Sequence, residues 1–437
     1  MRAAHFVLMW VCVTLATHSA AADSNLGQEL ELEQIVLLSR HGVRSPTQPL
    51  SELDRLVTTP WARWPVAPGE LTPRGANLMR LMGGYYRAIY ARRGLLSPDG
   101  CPDPGTVVAW ADVDQRTRAT AKSLLGGLFP GCGLREQHQD DLNAPDPLFH
   151  PAEAGVCRID FQRARTAVLG RIGGEFRPIL TAYARPLAAM QAILCPPAAP
   201  STNDKCGLAA ETSQIEPRGQ VAVRLRGPIA IASMAAEIFL LESAEGMAWE
   251  QVAWGRVPDE ATLRDLFVLH TLQFDLMERT RYIAQRQGSN LLATIAASIQ
   301  NVQLLSPATA PRLTLLVGHD TNISNIAGLL GLDWVIAGFQ PNQPSPGGAL
   351  AFEVLRDPVT GDRYVQLAYH AQSLLQMREQ NKLSVANPAG SAVITLPGCS
   401  RVARRAACPL ARFLDIAYKV IDQRCVGGRR LPRPEKR

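Results

Sequence analysis

The sequence predicts an α/β protein with an open, mostly parallel sheet flanked by helices and with an inserted, mainly helical domain. Three largely apolar segments, 34–39, 106–110 and 312–317, have the character of strands that are buried on both faces. Each segment runs into a polar turn that a helical pattern follows. Between about residues 161 and 287, long helical patterns replace the strands, which predicts the insertion.

The composition is that of a globular protein with a substantial core. The chain has 437 residues, of which 46% are hydrophobic, so its length allows one large domain with an insertion. The formal net charge of +6 arises from 45 basic and 39 acidic residues that are spread along the chain. Because this excess is small and diffuse, we expect no nucleic-acid partner.

The N-terminus has the pattern of a secretory signal peptide, which we assign to residues 1–22. Arg2 precedes an apolar run from Phe6 to Thr17, and small residues up to Ala22 resemble an A-x-A cleavage site. A run of about twelve residues is too short to span a bilayer. We therefore expect a periplasmic or secreted protein with no membrane anchor after signal removal.

The first predicted strand, 34–39, ends at the polar turn that begins with Arg40. The first long helix follows later in the chain, where Thr72 is a suitable N-cap and Pro73 a suitable first helical residue. Apolar residues at helical spacing continue this pattern through Tyr85.

Two further strand-turn-helix units follow the same scheme. The strand 106–110 leads through a polar turn to a helix over 119–128, and the strand 312–317 leads to a helix over 323–330. In the turn after the second strand, Asp112 or Asp114 is interpreted as a helix N-cap and not as a catalytic residue.

The remaining patterns complete the domain organisation. Helices are predicted over 229–241 and 262–279, with no comparable strand in this region, and 349–355 with 364–368 resembles a hairpin at the sheet edge. The predicted boundaries are 1–22 for the signal peptide, 23–158 for the first part of the α/β domain, 159–277 for the helical insertion and 278–437 for the second part of the α/β domain.

Eight cysteines remain after signal removal, and this even number predicts four disulfides in an exported protein. Chain proximity favours Cys195 with Cys206 and Cys399 with Cys408. Because the chain has neither a C-x-x-C pair nor an H-E-x-x-H motif, we expect no metal site.

Polar clusters lie at the strand ends, where open α/β sheets place their ligands. The first cluster is R-H-G-V-R-S-P at 40–46, in which two arginines flank a histidine. Arginine forks match phosphate oxygens, and a histidine between them would be placed as a nucleophile. A lone histidine beside an arginine is more commonly a satisfied residue of a capping loop, but chance agreement with R-H-G-x-R-x-P is on the order of one in ten thousand.

A His-Asp pair at 319–320 follows the third strand. Asp320 has the wrong charge for a phosphate clamp, which makes it a candidate general acid for the leaving group. Arg116 follows the second strand and suits either a phosphate site or a solvated helix N-terminus.

With these two motifs, the sequence resembles the histidine acid phosphatases, branch 2 of the histidine phosphatase superfamily. The likeness extends over nearly the whole mature chain and is strongest to periplasmic bacterial phytases and glucose-1-phosphatases. It implies an α/β domain split by a helical domain, no cofactor, and a phosphohistidine intermediate formed on His41, with Asp320 as general acid. The implied phosphate ligands are Arg40, Arg44, Arg116 and His319. The implied disulfides are Cys101 with Cys132, Cys157 with Cys425, Cys195 with Cys206, and Cys399 with Cys408.

The resemblance also implies a set of substrate contacts, namely Thr47, Gln48, Met234, Glu237 and His270. Gln48 stands where the phytases typically have Lys, so a cation that could meet the outer phosphates of inositol hexakisphosphate is missing. Thr321, in contrast, follows the phytase form. Considered alone, Met234 at helical spacing is more typical of a core residue.

We expect a small-molecule phosphomonoester as the partner of a monomeric acid phosphatase. Phytate is the expected substrate, and glucose 1-phosphate or another sugar phosphate is the alternative. A non-catalytic phosphate-ester-binding protein is a remote alternative, which the intact His41 and Asp320 disfavour.

Overall fold

The computed structural model describes residues 30–197, 206–219, 222–301, 311–399 and 406–427, so the predicted signal peptide lies outside the described residues. The strands are β1 (Glu31–Arg40), β2 (Val107–Ala111), β3 (Gln214–Arg218), β4 (Ala222–Arg226), β5 (Leu313–Gly318), β6 (Ala349–Arg356), β7 (Arg363–Ala371), β8 (Gly390–Ile394) and β9 (Ala407–Pro409). The helices are α1 (Leu50–Leu53), α2 (Pro73–Arg92), α3 (Gln115–Leu128), α4 (Phe161–Arg171), α5 (Arg177–Ala182), α6 (Ala184–Leu194), α7 (Pro228–Ala244), α8 (Glu260–Leu276), α9 (Arg281–Ile299), α10 (Asp320–Leu330), α11 (Leu374–Glu379) and α12 (Leu410–Val420).

The central sheet has seven strands in the order β2-β5-β1-β6-β7-β8, with β9 also paired to β7. Strand β5 pairs in parallel with both β1 and β2. The other pairings of this sheet are antiparallel. The predicted α/β class, with helices flanking a central sheet, is confirmed, and the parallel pairing belongs to the three strands whose ends carry the polar clusters.

Helices cover both faces of the sheet, which explains why its strands are apolar throughout. In β1, Val36 and Leu38 pack into a core with α9, α10 and α12. Their neighbours Ile35 and Leu37 point the other way, into a core with α2 and α3. Successive residues of a strand face opposite sides, so a strand that is covered on both sides loses its alternating pattern.

The described residues between 161 and 276 contribute five α-helices and a β-hairpin. Helices α6, α7 and α8 share an apolar cluster in which α7 is buried on nearly all sides. Its described residues hold no strand comparable to the buried strands of the central sheet, but they contain a short antiparallel pair, β3 and β4, that was not predicted. Charged residues and Pro217 interrupt the apolar pattern of this hairpin, while Ile215 and Leu225 lie opposite each other and pack into a core. The proposed domain boundaries at 159 and 277 stay a prediction.

The hairpin of β6 and β7 forms as predicted, but its predicted place at the sheet edge is wrong. Strand β6 pairs with β1, and β7 is covered by β8 and β9. These later strands have five and three residues, which is too short for a clear sequence pattern.

All four disulfides that the resemblance implied are present. They close loops of very different length, since the separation is 9 residues for Cys399–Cys408 and 268 residues for Cys157–Cys425. Among the described helices, none combines the length and the apolar run that crossing a membrane requires.

Candidate active site

The register of the parallel strands brings the three polar clusters to one edge of the sheet. Arg40 at the end of β1 is opposite Gly318 at the end of β5, and the backbone N–H of His41 donates to the Gly318 carbonyl at 3.0 Å. On the other side of β5, the N–H of Asp112 donates to the Val317 carbonyl at 3.0 Å. The site is therefore assembled by the sheet itself.

His41 is a buried histidine with a defined tautomer. Its Nδ1 lies 2.9 Å from the Gly42 carbonyl oxygen, which can only accept, so Nδ1 carries the proton and Nε2 keeps its lone pair. Burial, together with the charges of Arg40, Arg116 and Arg44, holds the pKa of His41 well below its ordinary value. The side chain is therefore a neutral imidazole with one free nitrogen at neutral and mildly acidic pH.

Gly42 allows the loop that carries His41 to pack closely against α2. A Cβ at this position would lie 2.8 Å from Cγ of Met79 and 3.2 Å from the Gly75 carbonyl oxygen. The backbone N–H of Gly42 donates to Oγ1 of Thr120 at 3.0 Å. Any side chain at position 42 would displace His41 from this packing.

Three arginines face the same site, of which Arg40 and Arg44 are buried and Arg116 is half-buried. Arg40 donates from Nη1 to the Pro344 carbonyl at 2.6 Å and pairs through Nη2 with Oδ2 of Asp320 at 2.7 Å. In Arg40, Arg44 and Arg116 alike, the buried Nε has no hydrogen-bond partner among the described residues. Unpaired donors on buried cations are costly, so the arrangement is suited to an anionic acceptor.

Glu237 on α7 links two of these arginines. Its carboxylate pairs with Arg40 and accepts from Nη2 of Arg44 at 3.0 Å. Burial alone would favour the protonated acid, but the two guanidinium groups hold the pKa of Glu237 well below its usual range. The side chain is thus an anion that occupies the arginines when no other anion is bound.

The other two predicted contacts from the helical segment lie behind Glu237. His270 on α8 is buried, with Nδ1 3.1 Å from Oγ of Ser233, and its Nε2 has no partner among the described residues. Burial lowers the pKa of His270, although Glu237 opposes the shift. Met234 packs, partly buried, against the apolar cluster of α7 and α8.

Asp112 holds two histidines, which the sequence did not indicate. Its Oδ2 lies 2.5 Å from Nε2 of His319 and 2.8 Å from Nε2 of His150. Burial opposes its charge, yet these two hydrogen bonds keep the pKa of Asp112 well below its usual value. The N-cap interpretation is therefore wrong for Asp112. Asp114 does occupy the N-cap position of α3, although its side chain makes no capping hydrogen bond and pairs with Arg116 at 2.6 Å.

Donor atoms of Asp112, Asp114, His150 and His319 lie within 4.8 Å of one another, which is a spacing that could hold a metal ion. The same atoms are already engaged, because Asp112 accepts from both histidines and Asp114 pairs with Arg116. Arg116 also places Nη2 at 3.4 Å from Nδ1 of His319. These donor atoms are therefore paired within the protein and lie beside the guanidinium cation of Arg116.

Asp320 begins α10, three residues earlier than the predicted start of that helix. Its Oδ1 accepts from the N–H of Thr321 at 2.8 Å, and its Oδ2 pairs with Arg40. Helix α3 likewise begins earlier than predicted, at Gln115, so that Arg116 lies in its first turn. Two helix N-termini thus point their partial positive charge at the site.

A cavity of about 320 Å³ opens above these groups. Of the predicted residues, His41, Arg44, Thr47, Arg116, His319 and Asp320 line it. Arg40, Glu237, Met234 and His270 are not among its lining residues, although Arg40 pairs with Asp320 in the wall and with Glu237. Gln48 lines a different cavity of about 440 Å³, together with Trp61 and Trp64.

The cavity wall includes charged residues that sequence reasoning missed. They are His150, Glu153, Arg218 and Glu278. They lie in the segment before α4, in β3 and just after α8, and none belongs to a motif. No sequence pattern indicated these residues. The hairpin of β3 and β4, which was not predicted, places Arg218 in the cavity wall.

Comparison with known proteins identifies the family. The model of the histidine phosphatase superfamily (branch 2) matches residues 31–173 and 235–370. The chain is 36% identical to phytase AppA of Escherichia coli (strain K12), over 97% of this chain and 100% of that protein. It is 28% identical to a glucose-1-phosphatase of Salmonella typhimurium, over 91% of this chain and 94% of that protein.

Solved structures agree with this result. A Hafnia alvei phytase in complex with tartrate is 40% identical, with a TM-score of 0.86 over 92% of this chain and 99% of that chain. The same phytase in complex with myo-inositol hexakis sulphate gives a TM-score of 0.84. The chain therefore belongs to branch 2 of the histidine phosphatase superfamily, and it is a phosphoric monoester hydrolase.

Proposed function

We propose that this hydrolase transfers the phosphoryl group of its substrate first to His41 and then to water. The observation that carries the proposal is the neutral imidazole of His41, with a free Nε2, beside three arginines whose buried Nε–H groups have no partner among the described residues. A neutral nitrogen is a competent nucleophile, and the arginines supply the charge that holds a phosphate through the transfer.

In the first step, Nε2 of His41 attacks phosphorus and the bond between phosphorus and the ester oxygen breaks. Asp320, which lines the same cavity, gives its proton to the departing oxygen. In the second step, water attacks the phosphohistidine, the bond between phosphorus and nitrogen breaks, and Asp320 takes the proton from water. Inorganic phosphate leaves, and both side chains return to their starting state.

The charge of the phosphoryl group is held by Arg40, Arg44 and Arg116. His319 joins them, because a bound phosphate favours its protonated form, in which both ring nitrogens donate. Glu237 keeps the guanidinium groups of Arg40 and Arg44 in place before substrate binds, and phosphate oxygens then compete with its carboxylate.

Phytate is the substrate we propose. The support is the similarity to phytases over the full chain, the phytase-like Thr321 and the cationic Arg218 at the cavity wall. Glucose 1-phosphate is the second candidate, because Glu153 and Glu278 line the same cavity. Where such a carboxyl group is ionised, it would repel outer phosphates, but it could accept hydrogen bonds from sugar hydroxyls.

A substrate panel tests this choice. The mature protein is assayed for kcat/KM on phytate, glucose 1-phosphate and a chromogenic phosphate monoester. We expect phytate to have the highest value, and a higher value for glucose 1-phosphate would replace phytate as the substrate. Acid quench during turnover should trap an acid-labile, base-stable phosphate on the peptide that contains His41, and label on another residue would contradict the mechanism.

We also propose that the enzyme acts as a monomer outside the cytoplasm. The predicted signal peptide and the four disulfides support an oxidising compartment. Cell fractionation tests the location, and light scattering of the purified protein tests the monomeric state. Recovery of the activity in the cytoplasmic fraction would contradict the proposed location, and a dimer in light scattering would contradict the monomeric state.

A further inference from the structure

Glu278 is a carboxyl group at the catalytic cavity that the proposed mechanism does not use. It lies two residues beyond the end of α8, is half-buried, and lines the same cavity as His41 and Asp320. No described residue lies within ion-pair or hydrogen-bond distance of its carboxyl group. Its neighbour Arg279 pairs instead with Asp333 at 2.7 Å and Asp275 at 3.6 Å.

Three carboxyl groups share this cavity with the phosphate of the substrate. Asp320 on α10 pairs with Arg40, and Glu153, in the segment before α4, is exposed to water. Glu278 has neither an ion-pair partner among the described residues nor full exposure to water. A further negative charge in a half-buried space beside the Glu153 carboxylate and a phosphate is unfavourable, so Glu278 takes up a proton.

The charged groups around Glu278 come from several elements. Asp320 and Glu153 oppose its ionisation, Arg218 on β3 favours it, and His150 and His319 lie on the same cavity wall. Burial, followed by the charges of Asp320 and Glu153, raises the pKa of Glu278 to about 8, although Arg218 acts in the other direction. The place of Glu278 in the cavity wall and the charges around it therefore both favour its protonated form.

We propose that Glu278 binds the substrate as a neutral carboxylic acid that donates its O–H to a phosphate oxygen. Loss of this proton turns the same side chain into an anion that repels the substrate. This inference rests on the proposed function only in that the ligand is a phosphate ester. It makes Glu278 a binding residue whose protonation sets the alkaline limit of substrate affinity.

The test uses a probe that is not turned over and whose charge does not change with pH. Myo-inositol hexakis sulphate meets both conditions, because sulphate esters stay ionised. Its Kd is measured by calorimetry for the wild-type protein and for Glu278→Gln from about pH 6 to about pH 9.5. At about pH 6 we expect the two proteins to bind within about threefold of each other, since an amide also donates. At about pH 9.5 we expect Glu278→Gln to bind at least about tenfold more tightly.

Two further variants separate the possible causes. Glu153→Gln removes a carboxyl from the same cavity and is the matched control. We expect its ratio to wild type to be the same at about pH 6 and at about pH 9.5, with a difference only between these values, because loss of the Glu153 charge lowers the pKa of Glu278. Glu278→Leu removes both the donor and the charge, so it should bind several-fold more weakly than wild type at about pH 6 and more tightly at about pH 9.5. Because titration of the nearby histidines is common to all four proteins, it cancels in the ratios.

A ratio for Glu278→Gln that stays constant with pH would overturn the inference, and so would a wild-type protein that does not bind the probe at about pH 6. Unweakened binding by Glu278→Leu at about pH 6 would overturn the donated hydrogen bond. Phytate turnover by the wild-type protein is measured separately. If turnover fails while the ratios behave as expected, the proposed substrate is wrong and the role of Glu278 stands.

Discussion

The parallel half of the sheet and the helical segment 161–276 both reach Arg40, but they encode their functional side chains differently. Asp320 comes to Arg40 from the end of β5, next to His319 in the chain. Glu237 comes to the same guanidinium from the middle of α7, with no functional neighbour beside it in sequence. Strand ends place consecutive residues at one edge, whereas a helix presents single residues whose partners depend on packing.

The comparison implies that the sheet half performs the chemistry, and the largest effect should come from His41. We expect His41→Ala to lower kcat by at least about three powers of ten, because a covalent nucleophile is lost. The measurement is kcat on a chromogenic ester. The control is His138→Ala, since His138 is not among the residues that line the cavity and its Nδ1 lies 2.8 Å from the carbonyl oxygen of Gln139. A loss of less than tenfold in His41→Ala would mean that another residue attacks phosphorus.

Asp320 should give the next largest effect, and one that depends on the leaving group. Asp320→Asn keeps the shape but cannot donate the proton, so we expect a loss of roughly two to three powers of ten in kcat on an alkyl phosphate. A nitrophenyl phosphate has a leaving group that departs without protonation, so its loss should be clearly smaller. Equal losses on both esters, with phosphohistidine still forming at the normal rate, would assign Asp320 to positioning.

The same contrast explains what sequence reasoning could reach. The motif around His41, the pair His319 and Asp320, and the three parallel strands are local patterns, and the structure brings them together as expected. Asp112 was misassigned because an acidic residue before a helix is also an N-cap pattern, and only the fold brings His150 next to it. Glu278 carries no local signal at all, since its role depends on which walls enclose the cavity.

The helical segment should show its influence in stability rather than in chemistry, and Glu242 on α7 tests this. Burial raises the pKa of Glu242 to about 8, although it accepts from the N–H of Ala253 at 2.9 Å. Because the folded pKa lies above the unfolded value of about 4.3, the protonated acid favours the fold at low pH, and this stability is lost as pH rises toward 8. Glu242→Gln cannot ionise and should lose none of it.

The test is the free energy of urea unfolding of Glu242→Gln minus that of the wild type. We expect this difference to increase by on the order of a few kcal/mol between about pH 5 and about pH 8. The kcat on a small ester should not change. Glu250→Gln, at an exposed position near the end of the same helix, is the control and should show the same difference at both pH values. A pH-independent difference for Glu242→Gln would mean that Glu242 is already ionised in the folded protein.

The smallest expected effect is on kcat/KM for phytate, and it depends on which of two cavities binds the outer phosphates. The loop after His41 separates two cavities: Arg44 and Thr47 line the catalytic one, whereas Gln48 lines the other. A cation at position 48 would therefore face the wrong cavity, and we expect Gln48→Lys to change kcat/KM for phytate by less than about twofold. Arg218 lines the catalytic cavity from the helical segment, on the hairpin of β3 and β4.

Arg218→Gln should lower kcat/KM for phytate by about three- to tenfold and leave a small chromogenic ester nearly unchanged, because an exposed cation acts on distant phosphates with roughly 1 kcal/mol. Added salt should reduce this difference, since the interaction is screened by solvent. If Gln48→Lys improves phytate turnover while Arg218→Gln has no effect, the outer phosphates lie on the side of the second cavity. The helical segment would then contribute Glu237 but no contact to the outer phosphates, and substrate choice would belong to the loop that follows His41.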